Sequence, residues 1–179
     1  MAKRKILVVV DMQNDFISGV LGNAECQGVV AEVVKLIENK EYSAVVVTQD
    51  THFENYLDTQ EGKKLPVVHC IKGTDGWKLN ETVQKAIESR EDIKLSTIEK
   101  NTFGSLAFAN LLRDKFLDYD EIHFCGVCTG ICVISNVMLA KASLVEAKIV
   151  VVEKACACVT PESHKTALEA MKMCHIDVV

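Results

Sequence analysis

The stretch Phe124-Cys125-Gly126-Val127-Cys128-Thr129-Gly130-Ile131-Cys132-Val133 reads as the end of one buried element and the start of another. Ile122 and Phe124 close an apolar strand, and a segment with two glycines follows. Ile131, Val133, Ile134, Val137, Met138 and Leu139 then make a helix that is apolar nearly all round, which marks a buried one. Cys132 falls in the first turn of that helix, just beyond the carboxyl end of the strand. Unpaired N–H groups and the positive dipole end acidify a thiol there, and the thiolate is the nucleophilic form. Cysteine is equally at home as a small core side chain, so the rest of the chain has to decide.

Outward from this stretch, strand and helix signals alternate. Continuous β-branched or apolar runs at 6–10, 44–48, 93–98, 121–124 and 148–152 read as strands buried on both faces, with a short last strand at 176–179. Helical faces lie at 29–37, from Asn80 or Thr82 to 88, at 106–116 behind a Ser105 cap, at 130–142, and from Thr160-Pro161 to 173. Residues 53–64 are polar and read as an excursion over a site, and 65–70 as short and extended. The pattern predicts an α/β protein: a three-layer α/β/α sandwich around a six-stranded, mostly parallel sheet, as a single domain over 1–179. In such sheets ligands bind outside the carboxyl ends of the strands. Asp11, Asp50, His52, Lys100 and Cys132 all fall there.

The totals fit one soluble domain. Of 179 residues, 49% are hydrophobic and 25% charged, with two prolines. A net charge of −5 gives no reason to expect nucleic acid as a partner. No run approaches transmembrane length, and the run ending at Asp11 is too short for a signal peptide, so a cytoplasmic protein without a membrane partner is expected. Eight cysteines in a reducing compartment argue against a disulfide framework. Cys125-x-x-Cys128 and Cys156-x-Cys158 lie in strand contexts and read as core filler rather than zinc knuckles.

Two sets of residues carry chemistry. A cysteine, an acid and a lysine can cleave an amide. Asp11 would take the thiol proton and return it to a leaving amine, Lys100 would hold positive charge beside both, and the N–H groups of Cys128 and Cys132 would receive an oxyanion. Asp11 as a loop cap and Lys100 as a solvated loop lysine are the structural alternatives. Asp50 and His52, two apart in extended chain, point the same way and with His69 could hold one metal ion. Glu61 in the intervening loop is a candidate fourth ligand.

Four motifs together carry a resemblance: Val10-Asp11-Met12-Gln13-Asn14-Asp15-Phe16, Thr48-Gln49-Asp50-Thr51-His52, Lys100-Asn101-Thr102-Phe103-Gly104-Ser105, and Gly126-Val127-Cys128-Thr129-Gly130-Ile131-Cys132. The chain resembles the isochorismatase-like cysteine hydrolases over essentially its whole length, and within them the nicotinamidase/pyrazinamidase subgroup. That resemblance implies a triad of Asp11, Lys100 and Cys132 and a cis peptide between Val127 and Cys128. It also implies a divalent metal, zinc first with iron or manganese as alternatives, on Asp50, His52 and His69. The metal would bind the pyridine nitrogen of nicotinamide and hold its carboxamide beside Cys132. Thiolate attack would release ammonia and leave a thioester, and water would release nicotinate. Phe16 is the candidate ring contact in substrate binding, with Trp77 or Tyr56 as possible substitutes. The subgroup's aromatic shortly before the later histidine is replaced here by Pro66-Val67-Val68, and its Asp-Trp-His-Pro by Asp50-Thr51-His52-Phe53.

Three readings follow. The first is hydrolysis of nicotinamide. The second is a related cysteine amidase for another small amide, of carbamoyl or maleamic type. The third is a non-enzymatic α/β interaction module. The partner expected is a small-molecule amide, and the apolar helices suggest a homo-oligomer.

Overall fold

The computed structural model describes residues 3–179; Met1 and Ala2, counted in the single-domain expectation, lie outside the described residues. Six strands form one sheet: β1 (Lys5–Val10), β2 (Tyr42–Asp50), β3 (Lys94–Lys100), β4 (Glu121–Val127), β5 (Lys148–Ala157) and β6 (Asp177–Val178). Their order is β3-β2-β1-β4-β5-β6, and every pair is parallel. The order reverses direction between β1 and β4. That switch point opens a crevice at the carboxyl ends of these two strands.

The alternation of side chains along β1 splits the core in two. Ile6, Val8 and Val10 face α6 (Leu106–Lys115), α7 (Ile134–Ser143) and α8 (Pro161–Met173). Leu7 and Val9 face α3 (Val30–Glu38) and α5 (Glu81–Glu88). Both sides of the sheet are therefore covered, which is why the central strands read as unbroken apolar runs. Among the described residues no helix is long and apolar enough to cross a membrane.

Helix starts follow the sequence signals. Ser105 caps α6 through Phe108 N–H, and Thr160 and Ser163 form a capping box on α8 with Pro161 at its first position. Asn80, not Thr82, caps α5, its side chain accepting from Thr82 N–H. Other expectations need correction. β5 runs on past 152 to Ala157. β3 is an edge strand with one face largely exposed, not a strand buried on both faces. Three short helices, α1 (Asn14–Ile17), α2 (Ala24–Gly28) and α4 (Gln60–Lys64), lie where the sequence signals placed no helix. The excursion at 53–64 is also built around an apolar anchor. Tyr56 is buried in a 3-10 turn (Tyr56–Asp58) and its hydroxyl donates to Leu65 O.

Candidate active site and metal centre

Backbone geometry at the switch point sets the site. Asp11 follows β1 with φ +49, turning the chain out of the strand. On β4, Gly126 has φ +113, and a Cβ there would fall 2.1 Å from Val10 O. Only glycine fits this approach of β4 to β1. The next peptide, Val127–Cys128, is cis, as the resemblance implies.

The expected α-helical first turn at Cys132 is instead a π-turn (Thr129–Val133), and α7 starts after it. Cys128 O accepts from Ile131 N and Val133 N, the amides on either side of Cys132. Asn136, fully buried, locks the turn: its Nδ2 donates to Cys132 O at 2.8 Å and Phe103 O at 3.0 Å, while its Oδ1 accepts from Ser105 N.

The triad residues converge. Lys100 Nζ lies 2.7 Å from Asp11 Oδ2 and 3.5 Å from Cys132 Sγ, and all three residues are buried. Asp11 Oδ1 accepts from Thr48 Oγ1 at 2.6 Å. Oδ2 has no aligned hydrogen-bond donor, which leaves a lone pair for the thiol proton. Burial pushes the Asp11 carboxyl up, against the pull of Lys100. Burial works against charge on Lys100 too, but Asp11, Cys132 and Asp50 outweigh it and hold the ammonium charged. The acidified thiol expected at a helix start is not what the fold builds. Burial, and then the Asp11 charge, push the Cys132 thiol well above its usual range, with Lys100 opposing. That direction favours the protonated thiol over the thiolate.

The second set also converges. Donor atoms of Asp50, His52, Glu61 and His69 all lie within 4.8 Å of one another. His52 Nε2 is 3.0 Å from Asp50 Oδ2 and 3.7 Å from Glu61 Oε1. His69 Nε2 is 3.5 and 3.9 Å from the same oxygens. Tetrahedral ligands at about 2.1 Å from an ion stand about 3.4 Å apart, a spacing that the 3.0–3.9 Å separations here bracket, so the four donors could close on a small divalent cation. His69 Nδ1 donates to Val67 O at 2.8 Å, and a carbonyl only accepts. That bond turns Nε2 toward the centre, where it would offer a lone pair to a bound ion. Two imidazoles with two carboxylates suit zinc, iron or manganese. Glu61 is brought into the set by α4.

Gln13 was not singled out as a functional residue by sequence reasoning. Its buried amide donates to Asp50 O and Trp77 O, both at 2.8 Å, and accepts from Asp50 N at 2.7 Å. It thus pairs with the Asp50 peptide where β1 has ceased to. The signal was its place two residues after Asp11 in the same motif. Phe16 stands edge-on to His69, ring centroids 5.6 Å apart. Tyr56 packs on both histidine rings, 4.6 Å from His52 and 5.0 Å from His69, and is too buried to stack on a ligand. Trp77 donates its indole N–H to Thr51 and lines a different cavity, of about 870 Å³. A cavity of about 610 Å³ opens over His52 and Glu61, walled by Phe53, Leu65 and Phe103.

Most of the remaining cysteines are buried, while Cys174 is exposed. Cys125 and Cys156 are buried and point their thiols at the carbonyls of Val8 and Phe124. The thiols of Cys158 and Cys26, with burial, push the Cys128 thiol up. Among the described residues these cysteines form no metal-holding group.

Comparison with known proteins accords with this geometry. The Isochorismatase domain family matches residues 5–179. A Bacillus subtilis (strain 168) protein named an uncharacterized isochorismatase family protein, PncA, is 30% identical over 174 residues, covering 92% of each chain. The crystal structure of nicotinamidase/pyrazinamidase PncA from Bacillus subtilis superposes with a TM-score of 0.86 at 26% identity, over 98% of this chain and 99% of that one. The pyrazinamidase of Pyrococcus horikoshii, solved in complex with zinc, gives 0.78 at 26% identity over 98% of both. The chain belongs to the isochorismatase family and is an amide-cleaving hydrolase.

Proposed function

We propose that the chain hydrolyses nicotinamide to nicotinate and ammonia through a thioester on Cys132. The observation that carries this reading is Lys100, whose ammonium touches Asp11, Cys132 and Asp50 at once and so joins a nucleophile and its base to a metal-binding set.

Attack forms the bond between Cys132 Sγ and the amide carbon as the thiol proton passes to Asp11. The amides of Cys128 and Cys132 receive the oxyanion. Collapse breaks the C–N bond, and Asp11 returns the proton to the leaving nitrogen, which departs as ammonia. A water then gives its proton to Asp11 and its oxygen to the thioester carbon. The acid leaves and the thiol regains its proton. Lys100 keeps its charge throughout, offsetting the negative charge that moves between Asp11 and sulfur.

Asp50, His52, His69 and Glu61 would hold the ion, zinc first with iron or manganese as alternatives. Bound there, it supplies a Lewis acid that a pyridine nitrogen can ligate. Phe16, beside His69, is the side chain placed to contact the ring.

A second substrate reading keeps the chemistry and changes the amide. It draws on Pro66-Val67-Val68, which offers no ring, and on Tyr56 and Trp77, both committed to packing. The test is ammonia release by metal-loaded protein from nicotinamide, pyrazinamide and small aliphatic amides, with Cys132→Ala as control. Turnover of nicotinamide at about 1 s⁻¹ or faster, lost in the variant, supports the first reading. Turnover of an aliphatic amide alone replaces it with the second.

A further inference from the structure

Asp15 takes no part in the chemistry above, yet its carboxylate has a prepared place. Its Oδ2 accepts the N–H of Cys70 at 2.7 Å, across 55 residues of chain. A Cβ on Gly76 would fall 2.2 Å from that oxygen, and one on Gly19 would fall 2.5 Å from Oδ1. Two glycines therefore leave the space the carboxylate fills. The Asp15 N–H also donates to Gly76 O at 3.0 Å.

What it holds is the residue after His69. Cys70 has φ +46, a left-handed conformation that residues bearing a side chain adopt reluctantly. Its peptide needs holding, and it is held from two directions. Asp15 takes its N–H, and its carbonyl accepts from His52 N at 2.9 Å. The Cys70 peptide thus ties the two histidines of the cation set together. The left-handed turn at Cys70 sets where the chain carries His69, while the bond from Nδ1 to Val67 O sets the ring's rotation.

We infer that Asp15 is a positioning residue for the metal ligand His69: its charge-assisted hydrogen bond holds the Cys70 backbone in the turn that aims His69 Nε2 at Asp50 and Glu61. The inference rests on the metal reading of that set, and the experiment separates the two.

Zinc affinity is measured by competition with a chromogenic chelator, without substrate, on the full chain, alongside the melting temperature of chelator-treated protein. Asp15→Ala should bind zinc about 10–100-fold more weakly. Asp15→Asn, whose amide oxygen can accept the same bond, should stay within about threefold. Should Asp15→Ala not fold, Gly76→Ala keeps the carboxylate but pushes it off Cys70, and the same loss is expected. A carboxylate that serves only the fold would lower the melting temperature and leave zinc affinity unchanged, within about twofold, in Asp15→Ala or Gly76→Ala. That result overturns the inference, as does equal weakening in Asp15→Asn and Asp15→Ala. A parent protein that binds no zinc overturns the metal reading and the role of Asp15 with it; an unaffected variant of a zinc-binding parent overturns the role alone.

Discussion

Lys100 Nζ lies 3.4 Å from Asp50 Oδ1, while the other oxygen of Asp50 faces His52 and His69. One carboxylate thus belongs to both halves of the site. The hydrogen bonds of the two histidines and the charge of Lys100 hold it ionised against its burial. The register explains the meeting, since Asp50 and Lys100 are partners at the last rung between β2 and β3.

Removing the cation should therefore cost more than catalysis. Lys100→Ala leaves two carboxylates buried without a counter-charge. Breaking a buried pair in this way costs about 3–5 kcal/mol. Urea unfolding should show that loss alongside loss of ammonia release. A variant of parental stability would mean that Asp11 and Asp50 do not depend on Lys100.

The upward shift of the Cys132 pKa gives its alkylation a pH signature. A thiol whose pKa lies above the usual range stays protonated at pH 7, and its thiolate fraction grows about tenfold per unit of pH below that pKa. Iodoacetamide labelling of Cys132, read by mass spectrometry, should be slow at pH 7 and still be accelerating past pH 9. A rate that levels off below pH 8 would show a standing thiolate and return the helix-start reading.

Metal binding should appear as stability. At a zinc concentration a hundredfold above its dissociation constant, a site present only in the folded state adds about 2.7 kcal/mol. A chelator should remove the gain, and His52→Ala or His69→Ala should abolish it. Equal melting temperatures with and without zinc in the parent would dispose of the site.

At the opposite end of the sheet, Glu121 bonds Lys3 and His123, which hold its carboxyl down to about 2. A depressed carboxyl contributes stability that is fully present above its unfolded value near 4.5 and is lost as pH falls toward 2. Urea midpoints should fall across that window, and Glu121→Gln should flatten the fall. An identical slope in the variant would assign acid sensitivity elsewhere.

Gly126→Ala should be poorly tolerated. The positive φ alone costs about 1–3 kcal/mol, and the Cβ would meet backbone rather than a movable side chain. At about 2–4 °C per kcal/mol for a chain of this size, the melting temperature should drop by several degrees. A parental melting temperature would mean that β4 can move away from β1.

The layered fold was legible because β-branched runs at 6–10 and 44–48 and capping signals at Ser105 and Thr160 each act over a few residues. The meeting of Asp11, Lys100 and Cys132 was legible because all three sit at strand ends, a place set by topology. Less could be read where the cause is long-range. The π-turn at Cys132 depends on Asn136 reaching its carbonyl and on Phe103 from another loop. The direction of the Cys132 shift is set first by burial, which no local pattern around the residue reveals. Glu61 and Tyr56 sit in a segment whose polarity hid one buried ring. Gln13 and Asp15 act on partners 37 and 55 residues away, through backbone atoms that no side-chain pattern reveals.

Lys100 rides on the outermost strand of the sheet, paired on one side by β2 and largely open on the other. Outer strands open locally at lower free energy than central ones. Warming or mild denaturant should therefore detach the ammonium while the rest of the sheet stays intact. Inactivation would precede melting, and amide exchange would be faster in β3 than in β1. The molecule's working life would then be set by the durability of one border strand and not by the strength of its interior.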